Sequence, residues 1–202
     1  MNSDLLNNNY LIIRNFISKS TAKEHADEFK KAYHANLLRR DNQVPNSYVS
    51  YQPKLAQILH KEKCNTISDL VGSKLIPTYC FARMYHKGNV LEKHTDRSSC
   101  EVSVTVQLDG DTSWPIWITT PDGKDVSVDL QFGDGMIYLG CIAPHWREKY
   151  LGDNYSQLFF HYVREDGSCM NINFKNRNER RVAYVLNPLQ RETLIKEYAK
   201  LL

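Results

Sequence analysis

The feature that most constrains this chain is a change of period near Pro77. Residues 102–108, VSVTVQL, alternate without a break, with Val102, Val104, Val106 and Leu108 on one face and Ser103, Thr105 and Gln107 on the other. Period two is the side-chain repeat of a β-strand. Around it lie the runs TYCFARMYHK, WPIWITT, VSVDL, GMIYLG and QLFFHYVR, separated by the turn signals LDGD, PDGK, FGDG and YLGDN. Strands this short and this closely spaced leave no room for helical crossovers. They predict a sandwich or barrel rather than βαβ units.

The first 75 residues read differently. YLIIRNFI, at 10–17, predicts a short strand. Thr21 with Glu24 forms a capping-box pattern that opens a helix running to about Leu38. A second helical stretch covers residues 53–75, broken at 64–66, and the tail NPLQRETLIKEYAKLL predicts an amphipathic helix packing back on the sheet. The expected fold class is α+β: a jelly-roll core, the double-stranded β-helix, with supporting N-terminal helices and a C-terminal helix. With 202 residues the expectation is a single domain, divided into mainly helical support (1–75), a jelly-roll catalytic core (76–165) and a C-terminal extension (166–202).

Composition removes several function classes. The formal net charge is only +3, which argues against a dedicated nucleic-acid binder. No apolar run approaches the length of a membrane span, and MNSDLLNNNY lacks the basic and apolar regions of a secretory signal. The five cysteines (Cys64, Cys80, Cys100, Cys141 and Cys169) are odd in number and scattered, without a CxxC pair. A reduced, cytoplasmic setting is the expected one.

The chemistry concentrates in LEKHTDRSSC, residues 91–100. His94 and Asp96 are two apart, so in an extended segment both side chains reach the same side. His145 follows 51 residues later, just after the strand-like MIYLG. In a closed β fold such distant strand ends meet. Two neutral imidazoles and one carboxylate, with open positions left over, are the facial triad of non-haem Fe(II) oxygenases. Taken alone, His-x-Asp is equally a solvated polar turn.

The ordered pattern Tyr85-x-x-Gly88, His94-x-Asp96, Gly133-Asp134 and His145 resembles the 2-oxoglutarate- and Fe(II)-dependent oxygenases, on the prolyl-4-hydroxylase side of that superfamily. The resemblance covers about residues 79–164. It implies that His94, Asp96 and His145 hold Fe(II), that 2-oxoglutarate and O2 are co-substrates, and that a C–H bond is hydroxylated with release of succinate and CO2. It places Tyr85 beside the oxoglutarate pocket; the polar face Ser103, Thr105 and Gln107 points either inward, where one or more of them could bond the co-substrate, or to water.

One departure stands out. Relatives carry an Arg or Lys on the last strand to pair with the C5 carboxylate of oxoglutarate, whereas residues 152–163 contain neither. A buried carboxylate needs such a partner. Arg147 is the first candidate, followed by Arg83, Arg97, and a neutral set including Gln157 and His161.

Other residues carry double readings. His86 and His161 read as structural. Trp114, Trp117 and Trp146 are candidates for a substrate cleft, Trp146 above all because it adjoins His145, while Trp117 suits core packing as well. The basic run FKNRNERR at 174–181 is either a solvated loop or an anion-binding patch. Two functions compete with the oxygenase: a catalytically silent jelly-roll binding module, and a zinc hydrolase using the same three ligands with Glu92 or Glu101 as base. The expected substrate is a peptidyl side chain or a small metabolite.

Overall fold

The alternating strand is buried on both of its faces, so it lies between two layers. In the computed structural model, which describes residues 1–170 and 185–201, it is the centre of a major sheet. In chain order the strands are β1 (Tyr10–Ile13), β2 (Arg39–Arg40), β3 (Tyr48–Tyr51), β4 (Leu75–His86), β5 (Leu91–His94), β6 (Val102–Gly110), β7 (Ile116–Thr119), β8 (Asp125–Val128), β9 (Gly135–Tyr138), β10 (His145–Arg147) and β11 (Asn154–Arg164). The helices are α1 (Ser3–Asn8), α2 (Lys19–His34), α3 (Lys54–Glu62), α4 (Cys64–Val71) and α5 (Pro188–Ala199).

The strands form two sheets. The major one has seven strands in the order β1-β9-β6-β11-β4-β3-β2, and the minor one has four in the order β5-β10-β7-β8. Neighbours within each sheet run antiparallel. This is the jelly-roll α+β architecture that the strand spacing predicts. The basic run at 174–181 lies outside the described residues.

The two faces of β6 explain the layering. Val102, Val104, Val106 and Leu108 join Phe16, Ala22, Ala26, Phe29, Leu59 and Ile67 in the main hydrophobic cluster, beneath the helices. Each such side chain contributes about 1.5–3 kcal/mol over its exposed state. Ser103, Thr105 and Gln107 are buried too, on the opposite face, toward the barrel interior. The polar face of this strand therefore lines the inside of the fold rather than water.

Local ends differ from the sequence expectation. The α2 cap is Ser18, whose hydroxyl accepts from the Thr21 amide at 3.0 Å, so the helix opens three residues before the Thr21–Glu24 box and ends at His34 rather than Leu38. The second helical stretch splits at Lys63 and stops at Gly72, whose φ of +68° suits a residue without Cβ. Residues 73–75 are therefore not helical; Leu75 already belongs to β4.

β1 stops at Ile13, short of Ile17. Asp134 fixes that exit by accepting from the Asn15 amide at 2.9 Å and the Arg14 guanidinium at 2.6 Å. The neighbouring Gly133 sits at φ +87°, where a Cβ would fall 2.4 Å from the Ile17 carbonyl. The Gly133-Asp134 pair is thus a staple for the first strand. The helical first 75 residues also supply β1, β2 and β3 to the major sheet.

Candidate metal and co-substrate site

Register brings the three candidate ligands together. His94 ends β5 and His145 opens β10, and the two face each other directly across the minor sheet. Asp96 follows two residues after His94, its amide bonded to the Gly140 carbonyl at 2.8 Å. The Nε2 atoms of His94 and His145 lie 3.6 and 3.7 Å from Asp96 Oδ1. The three donor atoms all fall within 4.8 Å of one another.

Both imidazoles are oriented from behind. His94 Nδ1 lies 2.7 Å from the Glu92 carbonyl, and His145 Nδ1 lies 2.9 Å from the Ala143 carbonyl. A carbonyl only accepts, so each Nδ1 carries the proton and each Nε2 lone pair is left for the site. Burial pushes His145 below its usual pKa, favouring the neutral form that a metal needs. Burial also acts on His94, but the Asp96 carboxylate outweighs it and raises that pKa. For Asp96 burial works upward, and the surrounding imidazoles of His145 and His94 overcome it, holding the carboxyl well below the usual range. The anion is held in place by its neighbours.

Gly140 makes room for this arrangement. A Cβ there would lie 2.5 Å from Asp96 Oδ2 and 2.5 Å from the Cys100 carbonyl. Ser103, on the inward face of β6, reaches Asp96 Oδ2 at 3.3 Å and His161 Nδ1 at 2.8 Å. The C-terminal segment also touches the site. Arg191 of α5 donates to the Thr95 hydroxyl at 2.8 Å, between the two ligands, and Arg97 pairs with Val185.

The three candidate ligands open into a cavity of about 500 Å³ between the sheets. Arg147 and Gln157 line it. Arg147 is fully buried: one guanidinium nitrogen donates to the Trp114 carbonyl, while Nη2 is buried without a hydrogen-bond partner among the described residues. Its charge lies over Trp114 and Tyr155, and no described carboxylate comes within ion-pair distance. Gln157 gives its amide to Thr105 at 2.9 Å, leaving its buried carbonyl oxygen free. His161 Nε2 also lines the cavity without a partner, and burial pushes that residue down to about 3. Buried polar atoms require partners, from water or from a ligand.

Arg83 is engaged differently. Nη2 donates to Gln43 at 2.7 Å, Nη1 to the Tyr85 hydroxyl at 3.1 Å, and Nε lies 2.6 Å from the Asp41 carboxylate. Its charge is therefore neutralised inside the protein. Tyr85 and Thr105 do not line the cavity; they hold Arg83 and Gln157, which do.

Trp146 faces away. Its neighbours His145 and Arg147 point inward, so period two turns Trp146 to the outer surface, where it stacks on Trp117 at 5.9 Å under the Lys93 ammonium. Adjacency to His145 in sequence thus excludes it from the pocket. Trp114 packs in the core against Tyr85, Tyr150 and Tyr155. The two candidate hydrolytic bases are also elsewhere. Glu101 is buried against Arg164 and Tyr198, and Glu92 is exposed on β5; neither lines the cavity.

A wall of aromatic rings was missed from sequence. Phe81 stacks on Phe159 at 4.4 Å and on Tyr51 at 5.6 Å, with Tyr79 6.1 Å from Phe81. The signal was present in part: Tyr79, Phe81 and Arg83 share a face of β4, as Gln157, Phe159 and His161 share one of β11. A second group, Asp96, Cys100 and His161, also has metal-ligand spacing. There burial and the Asp96 charge push the Cys100 thiol far up, and Ser103 occupies His161 Nδ1.

The two-sheet fold is similar to that of solved 2-oxoglutarate/Fe(II) oxygenases, prolyl hydroxylases among them. A prolyl-4-hydroxylase from Pseudomonas putida superposes with a TM-score of 0.68 at 14% identity, covering 80% of this chain and 96% of that one. HygX from Streptomyces hygroscopicus, solved with nickel and 2-oxoglutarate, gives 0.68 at 12% identity, covering 90% and 94%. The epimerase SnoN from nogalamycin biosynthesis gives 0.69 at 10% identity, covering 90% of each chain. No protein-family model matches the sequence, and no curated protein is similar to it at the sequence level.

Proposed function

We propose that this protein is an Fe(II)- and 2-oxoglutarate-dependent oxygenase that hydroxylates a C–H bond. The observation that carries the reading is one cavity holding both a two-histidine, one-carboxylate cluster and a buried arginine with an unsatisfied donor. The donor set fits Fe(II), since two neutral imidazoles and a carboxylate leave a face open. With 2-oxoglutarate and O2, the iron would supply an oxidant strong enough to remove a substrate hydrogen, with succinate and CO2 as by-products.

The chain's own residues have defined parts. His94, Asp96 and His145 hold the metal, and the Glu92 and Ala143 carbonyls fix the imidazole tautomers. Arg147 pairs with the C5 carboxylate from β10 in the minor sheet, whereas relatives place their cation on the last strand. Gln157 offers a hydrogen-bonding oxygen or, with its amide flipped, a donor beside it. Tyr85 and Thr105 position these groups from behind.

The arginine on β10 removes the main support for a silent binding module. The hydrolase reading loses its base, because Glu92 and Glu101 lie outside the cavity.

Anaerobic titration tests the proposal. The protein should bind one Fe(II) per chain, and 2-oxoglutarate should then produce the visible charge-transfer absorption of a chelate. Admission of O2 should release succinate. Metal-independent binding of oxoglutarate, or a chelate that survives Asp96→Ala, would contradict it.

A further inference from the structure

The charges around the cavity do not cancel once it is loaded as proposed above. Its described lining holds three guanidiniums, Arg83, Arg97 and Arg147, and two carboxylates, Asp41 and Asp96. The lining histidines are the metal ligands His94 and His145 and the buried His161, whose Nδ1 lies 2.8 Å from the Ser103 hydroxyl with no described ion-pair partner at the ring. Arg83 is neutralised by Asp41 at 2.6 Å. Fe(II) adds two positive charges and 2-oxoglutarate two negative ones. One surplus positive charge is left.

The surplus falls on Arg97. Arg147 is taken by the co-substrate, whereas Arg97 stands exposed at the mouth with no described carboxylate in ion-pair range. Its backbone is fixed on two sides: its carbonyl accepts from the Cys141 thiol at 3.1 Å, and it bridges to Val185. Arg97 follows Asp96 directly and lines the same cavity as the three candidate ligands. Next to it runs the aromatic wall of Tyr79, Phe81, Phe159 and Tyr51, all lining the same cavity. The wall has little to offer a polar body and much to offer a flat apolar one.

We propose that the substrate is a small carboxylic acid with an apolar or aromatic body, its carboxylate on Arg97 and its body along the Tyr79–Phe81–Phe159 wall. An anion at the rim and an apolar body inward would place a C–H bond toward the open face of the metal site. The proposal rests on the oxygenase reading, because the surplus charge exists only with iron and oxoglutarate bound.

The test uses two matched probes, 3-phenylpropionate and its neutral amide, titrated calorimetrically into the anaerobic protein loaded with Fe(II) and 2-oxoglutarate. The carboxylate should bind about tenfold more tightly than the amide. Arg97→Gln should abolish that preference, Arg97→Lys should retain part of it, and both variants should keep the wild-type affinity for 2-oxoglutarate. Equal binding of the two probes, a preference that survives Arg97→Gln, or no saturable binding of either probe would overturn the proposal. Failure of 2-oxoglutarate itself to bind the iron-loaded wild type is a separate outcome: it overturns the oxygenase reading and, with it, the surplus charge.

Discussion

Asp96 is the residue on which the site turns. It faces both imidazoles, and its amide, its carboxylate and the absence of a side chain at Gly140 are all tied to one place. Gly140→Ala should therefore act as a metal-site mutation although Gly140 carries no donor side chain. The added methyl would displace the carboxylate, and Fe(II) affinity, measured by anaerobic equilibrium dialysis, should fall by about tenfold or more, as for other residues that orient metal ligands. In the proposed reading Arg147 pairs with the co-substrate. Arg147→Gln should weaken 2-oxoglutarate binding about 100-fold with Fe(II) affinity unchanged, because loss of a desolvated charge partner costs about 2–5 kcal/mol. If both affinities fell together, Arg147 would be supporting the fold rather than the ligand.

At the scale of elements, the C-terminal helix is attached through a buried charge cluster. Arg164 of β11 donates to Glu101 at 2.8 Å and to Glu197 of α5 at 3.0 Å, and the Tyr198 hydroxyl lies 3.2 Å from Glu101. Glu101 sits between the 3-10 turn Ser98–Cys100 and β6, just past the ligand loop. Removing one partner of a buried ion pair strands the other. Arg164→Ala should cost about 3–5 kcal/mol in urea denaturation.

The elements were unevenly legible in the sequence. The β6 alternation and the His94-x-Asp96 spacing could be read because both depend on local period alone. The α2 start could not, because Ser18 and Thr21 both suit a cap and only the hydrogen bond distinguishes them. Two- to four-residue strands such as β2 and β3 carry too little local pattern; β3 exists because β4 offers it a paired edge, and β2 because β3 then does the same. Trp146 was misread for the opposite reason, since neighbours in a strand face opposite ways. Asp41 lies in a loop, and nothing local marks it as the partner of Arg83.

At the scale of the whole molecule, helices on one face of the major sheet leave the other face free to line the cavity. Among the described residues no helix is long and apolar enough to cross a membrane, and none of the five cysteines forms a disulfide. The helix-to-sheet layer carries a pH signature. His60 of α3 stacks on Phe160 at 5.3 Å, and burial pushes it down to about 4. The unfolded chain protonates this group near pH ~6.5. Below that pH the unfolded state binds the extra proton, so the stability it contributes is complete above pH ~6.5 and is lost as pH falls toward 4. The loss is on the order of 3 kcal/mol. His60→Phe should flatten this part of the acid limb in melting curves recorded across the range; an unchanged limb would assign it to other groups.

The central claim is that His94, Asp96 and His145 hold iron while Arg147 receives the far carboxylate of 2-oxoglutarate. A crystal structure of the protein soaked anaerobically with Fe(II) and 2-oxoglutarate tests it most directly. The account predicts one metal bonded to His94 Nε2, Asp96 and His145 Nε2, chelated by oxoglutarate, with the C5 carboxylate on Arg147 Nη2. Metal bound elsewhere, or a C5 carboxylate seated on Arg83 or Arg97 with Arg147 still unpartnered, would contradict it.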